Sequence, residues 1–388
     1  MPEKMSDSRF VLHLDMDAFF VEAACIQDSR LRDRPLIIGG SSERGVVASC
    51  CYKARSFGVH SAMPIQQARQ RCPDARIVQG DMAYFSGLSK SVTELITAQA
   101  PCVEKASIDE FYLDLSGMDK FFGCYRWAQE LSERIVRETG LPNSFGLSSN
   151  KTVAKVATGT AKPRGKTYVS HGQEKHFLAP LPVRSLPFAG PKTSLRLSHM
   201  GVQRVETLQQ MPPELLVQAF GKSGLQLWQR ANGIDRQPVV PYREQKSLGA
   251  ETTFESDTAV PDLLHGTLAR LCQKLAYALR RRGQVCGSVA VKIRYSDFNT
   301  STRQSKIALT AADHDIQGVA GRLFTALYTR RQRLRLIGVR LSDLQYGFHQ
   351  PGLFDESPGA MRLYLAMDQI RNRFGERSVS KGVFKRPG

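Results

Sequence analysis

The side chains best placed by type and spacing to do chemistry are two acidic groups, Asp15-Met-Asp17 and Asp109-Glu110. The first follows the apolar run Phe10–Leu14, which has the length of one buried strand. Open α/β sheets place their sites at the carboxyl ends of strands. The second group lies within Ser107-Ile-Asp-Glu-Phe-Tyr-Leu-Asp-Leu, a further strand region. Neighbours on a regular strand point to opposite faces, so Asp109 and Glu110 share a site only through a turn or bulge. Converging carboxylates repel unless a hard divalent cation neutralises them, and Mg²⁺ takes one or two of them with phosphate oxygens and water. Two such ions about 3.5–4 Å apart activate an attacking oxygen and stabilise a leaving one in phosphoryl transfer. The competing reading is that Asp15 caps a helix and Asp-Glu is a solvated turn. Spacing alone leaves both open.

The elements that must hold these groups are mixed α/β over the first 170 residues. The run Pro35–Ile38 stops at Gly39-Gly40, and residues 46–50 form a strand leading into a helix that carries Tyr52 and Arg55. Three apart, those two share a helical face. Residues 83–99 and 124–138 read as helices. Residues 145–170 hold a short strand, a helix bearing Lys151 and Lys155, and the turn Lys162-Pro-Arg-Gly. Residues 176–238 are short helical pieces punctuated by Pro and Gly, and the stretch from Pro238 to Lys246 reads as a linker. Beyond it Val289, Val291, Ile293 and Tyr295 alternate with Ala290, Lys292 and Arg294, and Leu334 and Leu336 alternate with Arg333 and Arg335. Period two sends the apolar side chains to one sheet face and the cations to the other. Residues 346–388 form a tail with one amphipathic helix on Leu363, Met367, Ile370 and Phe374.

The chain has 388 residues and 54 Lys+Arg against 36 Asp+Glu, a net charge of +18. That charge is uneven: −2 over residues 1–130, +9 over 131–242, +8 over 243–345 and +3 over 346–388. A slightly acidic head on a basic body points to a polyanion held by one part while another does chemistry. Apolar runs are far shorter than a membrane span needs, and the N-terminus lacks a signal-peptide pattern. The eight cysteines contain no C-x-x-C and no zinc-ligand spacing, so free thiols in a reducing compartment are expected. The expectation is a cytoplasmic protein that faces nucleic acid and has no membrane partner.

Five ordered segments carry a family resemblance. They are Leu14-Asp-Met-Asp-Ala-Phe-Phe20, Cys51-Tyr-Lys-Ala-Arg55-Ser-Phe-Gly-Val, Ser107-Ile-Asp-Glu-Phe-Tyr, Ser149-Asn-Lys-Thr-Val-Ala-Lys-Val-Ala and Ala161-Lys-Pro-Arg-Gly. Together with Ala231-Asn-Gly-Ile-Asp and Glu251-Thr-Thr-Phe-Glu, the chain resembles the Y-family of translesion DNA polymerases, nearest to its bacterial DinB type, over about residues 9–345. The resemblance implies a multidomain right hand. The palm spans residues 1–18 and 81–172, the fingers 19–80 and a helical thumb with a helix-hairpin-helix 173–240. A linker (241–249), a β/α little finger (250–345) and a tail (346–388) follow. It implies two Mg²⁺ ions on Asp15, Asp109, Glu110 and the main-chain carbonyl of Met16, with Glu110 as a catalytic carboxylate beside Asp15 and Asp109. Asp17 is expected to support the site, and Asp114 the fold. Phe20 matches a steric gate against the ribose 2′-hydroxyl, with Phe19 in the core. Tyr52, Arg55 and Lys162 match triphosphate contacts, with hydroxyl help from Ser49 and Ser107. Lys151 and Lys155 belong either to the site or to a solvated face.

Pro187-Phe-Ala-Gly190-Pro-Lys192-Thr resembles the hairpin of that thumb, whose helix start binds phosphate through Gly190 and Lys192, although Phe188 stands where the first glycine is usual. Lys292, Arg294, Arg333 and Arg335 are expected to track DNA phosphates. Ala24 stands where the family usually has an acidic residue, a departure expected to affect packing of the fingers. Gln350-Pro-Gly-Leu353-Phe354 fits the form of peptides that dock on the bacterial sliding clamp, with Leu353 and Phe354 as apolar anchors. The activity implied is low-fidelity, template-directed DNA synthesis by a monomer on primer–template DNA, with deoxynucleoside triphosphates (dNTPs) and without proofreading, since no second acidic cluster suggests an exonuclease. A nuclease would not need Phe20 or the Tyr52, Arg55 and Lys162 set, and a nucleotide cyclase would not need the basic strands. A non-catalytic DNA-binding protein would not need Asp15, Asp109 and Glu110.

Overall fold

β1 (Val11–Met16) is buried along its whole length, because both of its faces are covered. The computed structural model describes residues 9–40, 42, 44–118, 123–241, 244–347, 358–376 and 378–379. The chain divides into two compact units, Met1–Arg243 and Glu244–Gly388.

In the first unit β1 is the centre of a five-stranded sheet ordered β5-β6-β1-β7-β8. Its neighbours β6 (Glu110–Asp114) and β7 (Asn143–Ser148) both run antiparallel to it. β5 (Val103–Lys105) and β8 (Lys166–Tyr168) form the edges. Leu12, Leu14 and Met16 join Phe111, Leu113, Phe145 and Leu147 in one hydrophobic cluster. That cluster is completed by Phe85, Val92 and Ile96, from the helix Met82–Thr97, and by Cys124, Ala128, Leu131 and Ile135, from the helix Cys124–Thr139. The odd residues Val11, His13 and Asp15 face the opposite way, toward the helix Lys151–Ala161. Gly146 allows that helix its close approach, since a Cβ there would stand 2.3 Å from the carbonyl oxygen of Ala154. One strand therefore carries a hydrophobic core on one face and the polar site on the other.

A smaller sheet, β3-β2-β4, holds Leu36–Gly39 (β2) between Val47–Cys50 (β3) and Arg76–Val78 (β4). It packs with the short helices Tyr52–Ser56 and Ile65–Arg71 around Ile37, Val47, Ala54, Ile65 and Ala68. Residues 174–231 are short helices around Leu178, Leu197, Leu208, Leu216 and Leu227.

The second unit is an antiparallel sheet ordered β11-β10-β12-β9, formed by Thr300–Thr310, Gln284–Tyr295, Leu334–Tyr346 and Ser247–Thr258. The helices Pro261–Arg280 and Asp313–Leu327 cover the face bearing Val289, Val291, Ile293, Ile337, Val339 and Leu341. The alternation of Val289, Val291, Ile293 and Tyr295 holds, but that of Leu334 and Leu336 does not. The register shifts between those two residues, and Leu336 pairs with Arg294 on the cationic face while Leu334 stays in the core. Arg333 precedes the strand rather than belonging to it.

The tail helix Pro358–Phe374 also departs from the hydrophobic pattern. Of Leu363, Met367, Ile370 and Phe374 only Met367 is buried, and the side chains buried beside it are Tyr364, Asp368 and Arg371. Ion pairs draw that face inward: Arg280 reaches Asp368 at 2.6 Å and Asp313 at 2.7 Å. Among the described residues no helix is long and apolar enough to cross a membrane, and all eight cysteines are free.

Candidate active site

Asp15 pairs directly with Glu110 across β1 and β6, and directly opposed residues of an antiparallel ladder project to the same face. Asp109 sits one residue before β6, in the turn that follows β5. Its carbonyl accepts the Met16 N–H at 3.0 Å, which ties the turn to the end of β1. The Ser107 hydroxyl donates to the Asp109 carboxylate at 2.5 Å and accepts the Asp109 and Glu110 N–H groups at 3.3 and 3.1 Å. Asp109 lies in a turn and Glu110 in a strand, and the charges of both act on Asp15, although the Asp109 carboxylate is held by Ser107.

Two lysines meet this acidic group. Lys155 donates to both oxygens of Glu110, at 2.6 and 2.7 Å, and Lys162 binds Asp15. Burial pushes the Asp15 carboxyl up to about 7. The Lys162 ammonium opposes that shift, and the charges of Glu110 and Asp109 add to it. Lys151, one turn before Lys155, turns elsewhere: it is buried against Glu104 at 2.7 Å and stands over the Tyr112 ring. Neither lysine lies on a solvated face.

His13 is a member of the site that sequence reasoning missed. Two residues before Asp15, it shares that strand face, and this spacing is the signal that would have found it. It is 1% exposed, its Nδ1 stands 2.8 Å from Thr158 Oγ1 and its Nε2 has no partner. Burial, with the charges of Lys155, Lys162 and Lys151, holds the imidazole well below its usual range and so neutral. Donor atoms of His13, Asp15 and Glu110 lie within 4.8 Å of one another. A set of carboxylates at which ammonium groups already sit suits a divalent cation.

Asp17 is taken up by other partners, among them Ser144, which lies opposite Asp15 in the ladder. It accepts both Ser144 Oγ contacts at 2.9 Å, the Arg164 N–H at 2.7 Å and the Tyr52 hydroxyl at 3.3 Å. It therefore anchors the turn that presents Lys162. Asp114 holds Ser116 through its backbone N–H and hydroxyl, at the end of β6.

Tyr52 opens its helix under a Cys51 cap, and the Arg55 guanidinium lies 4.7 Å from the Tyr52 ring centroid. Arg55 Nε donates to the Cys50 carbonyl at 3.2 Å, and among the described residues Arg55 has no ion pair. Ser49 is buried in β3. Phe19 is buried, whereas Phe20 is partly exposed and stacks on Phe85 at 5.0 Å and 20°. Ala24 is buried in the same core, where an acidic side chain would be stranded.

Gly190 precedes the helix Pro191–His199, which carries Lys192 in its first turn. Phe188 keeps the left-handed backbone that a glycine there would adopt, with φ +70°. In the second unit Lys292 pairs with Glu251 at 2.9 Å, and Arg294 donates to Thr300 Oγ1 at 2.9 Å. Arg335 stands over the Phe298 ring. Arg340 and Lys306 share the face of Lys292 and Arg294 through their pairing with Ala290 and Ser288, a cross-strand relation that local spacing does not reveal. Gln350, Leu353 and Phe354 lie outside the described residues.

Carboxylates gathered at the end of a central antiparallel strand, with two lysines bonded to them, suit phosphoryl transfer. Comparison with known proteins narrows that class. Residues 14–159 match the impB/mucB/samB family and residues 245–353 match its C-terminal domain. A DNA polymerase IV of Dehalococcoides mccartyi strain CBDB1 is 35% identical over 378 residues, covering 96% of this chain and 97% of the relative. A DNA polymerase IV of Methanoculleus marisnigri is 37% identical over 353 residues, covering 90% and 98%. A solved chimera of the Y-family DNA polymerases Dbh and Dpo4 superposes with a TM-score of 0.78 at 25% identity, covering 86% of this chain and 98% of its own. The chain belongs to the impB/mucB/samB family, the Y-family of translesion DNA polymerases, and is a DNA-directed DNA polymerase.

Proposed function

We propose that this polymerase extends a primer 3′-hydroxyl from dNTPs across damaged template DNA, at low fidelity and without proofreading, using two Mg²⁺ ions. The observation that carries this reading is the register pairing of Asp15 with Glu110, with Asp109 turned onto the end of β1. Asp15, Asp109, Glu110 and the Met16 carbonyl would hold the ions, which when bound lower the pKa of the hydroxyl and neutralise the triphosphate. Arg55, with no acidic partner among the described residues, binds phosphate oxygens through its planar fork. Tyr52 and Lys162 join it, with Ser49 adding a hydroxyl, and Asp17 keeps Tyr52 and the Lys162 turn in place. Phe20, braced by Phe85, lies under the sugar and excludes a 2′-hydroxyl.

The proposed right hand has its palm at 1–18 and 81–172, its fingers at 19–80 and its thumb at 173–240. The linker is 241–249, the little finger 250–345 and the tail 346–388. Gly190, Lys192, Lys292, Arg294, Arg333 and Arg335 are the proposed DNA contacts. Gln350, Leu353 and Phe354 are proposed to bind the sliding clamp, as part of a monomeric cytoplasmic enzyme. Because DNA grip by cations releases counterions, binding is expected to weaken steeply with salt.

The test is primer extension on a defined template with purified protein and Mg²⁺. Wild type adds dNTPs, Asp109→Ala and Glu110→Gln lose about a thousandfold or more of that activity, and Phe20→Ala admits ribonucleotides. Undiminished synthesis by either carboxylate variant removes the catalytic assignment, and unchanged sugar selection removes the gate.

A further inference from the structure

Two phenylalanines break the same two rules. Phe188 and Phe298 both adopt left-handed backbone, with φ +70° and +65°, a conformation unusual for a bulky side chain. Both rings are also exposed, Phe188 to 78% and Phe298 to 61%. A residue that is strained and leaves its apolar ring in water stabilises neither its turn nor a core. Outliers of this kind are retained at functional sites.

Each ring is held by an arginine. The Arg230 guanidinium lies 4.0 Å from the Phe188 centroid, and that of Arg335 lies 4.6 Å from the Phe298 centroid. Among the described residues Arg335 has no ion pair, whereas Arg230 is buried beneath its ring and feels the charge of Asp235. Asp235 accepts from Thr152 Oγ1 at 2.8 Å and from the Gln237 N–H at 3.0 Å, and Asp297 binds Asn299 and faces Arg330.

The surroundings of both rings are cationic and sit at turns. Phe188 lies two residues before Gly190, at the start of a helix with Lys192 in its first turn. Phe298 lies in the turn joining β10 to β11, and the carbonyl of Phe298 accepts from the same Thr300 hydroxyl that binds Arg294. An exposed ring beside cationic side chains matches a surface that alternates apolar sugar with anionic phosphate. That surface is the backbone of a nucleic acid.

We propose that Phe188 and Phe298 are DNA contacts, each packing its ring on a deoxyribose of the bound strand while Lys192 and Arg335 meet the flanking phosphates and the buried Arg230 supports the Phe188 ring from beneath. At Phe188 the ring takes over from the close approach of backbone to phosphate that a glycine permits. The proposal rests on the polymerase reading and adds to the cationic grip an apolar part that does not depend on salt.

The experiment measures the affinity of the full-length protein for a labelled primer–template across a range of KCl, in wild type, Phe188→Gly, Phe298→Gly and Lys192→Ala. Glycine keeps the left-handed turn and removes only the ring. Each glycine variant is expected to bind about tenfold more weakly, by the same factor at every salt concentration, with an unchanged or higher melting temperature. Lys192→Ala is expected instead to reduce the salt slope by about one. Wild-type affinity in both glycine variants, or a lower melting temperature marking the rings as structural, overturns the proposal and leaves the polymerase reading standing. Failure of the wild-type protein to bind primer–template at all overturns both.

Discussion

The two units each bury a cluster of carboxylates and cations, and the clusters are built to opposite ends. In the second unit Arg280 hydrogen-bonds to Asp368, Asp313 and the Ala311 carbonyl. Burial opposes its charge, but the bonds and charges of Asp368 and Asp313 more than offset this and raise its pKa. In the first unit the balance is reversed, because burial together with Glu110 and Asp109 outweighs the Lys162 contact and leaves the Asp15 carboxyl at about 7. A buried cluster whose charges are satisfied docks a helix. One left short of positive charge is ready to take a cation, and strongly shifted groups gather at functional sites for this reason.

Breaking the satisfied cluster sharpens the contrast most. Asp313→Ala leaves Arg280 charged and short of a partner, which is expected to lower the stability of the second unit by about 3–5 kcal/mol, read by chemical denaturation. If it costs no stability, the cluster is not structural and the contrast fails. Lys155→Ala should have a smaller effect of a different kind. With the ammonium gone from Glu110, Mn²⁺ followed by paramagnetic resonance is expected to bind about fivefold more tightly, since a partly exposed pair contributes on the order of 1 kcal/mol. Weaker binding would instead make Lys155 a residue that positions Glu110 for the ion.

The same contrast explains what was legible in the sequence. Asp15, Asp109, Glu110, Tyr52, Arg55 and Lys162 stand in contiguous motifs, and the apolar periods around them match the strands and helices that carry them. Lys155 remained ambiguous because its partner Glu110 lies 45 residues away, on another element. The period-two pattern misplaced Leu336 because a register shift changes which side chain faces the core, and no local spacing encodes that. The tail helix was misread at Leu363, Ile370 and Phe374 because hydrophobic periodicity assumes that burial follows apolarity. Here ion pairs bury Asp368 and Arg371 instead. At Phe188 a family glycine is replaced but its backbone conformation persists, so the departure from pattern changed the surface and kept the turn.

Asp15→Asn tests the central claim, that the first cluster is held short of positive charge for catalysis. The folded carboxyl titrates near 7 and the unfolded one near about 4. The folded protein therefore binds the extra proton in between, and wild type loses stability as pH rises through that window. The decisive measurement is the melting temperature of the metal-free proteins from about pH 4 to about pH 8, paired with nucleotide incorporation in Mg²⁺. The account predicts that the variant matches wild type in acid, melts higher above neutrality and loses about a thousandfold or more of its incorporation. A variant that melts lower at every pH, or that still incorporates nucleotides at the wild-type rate, contradicts it.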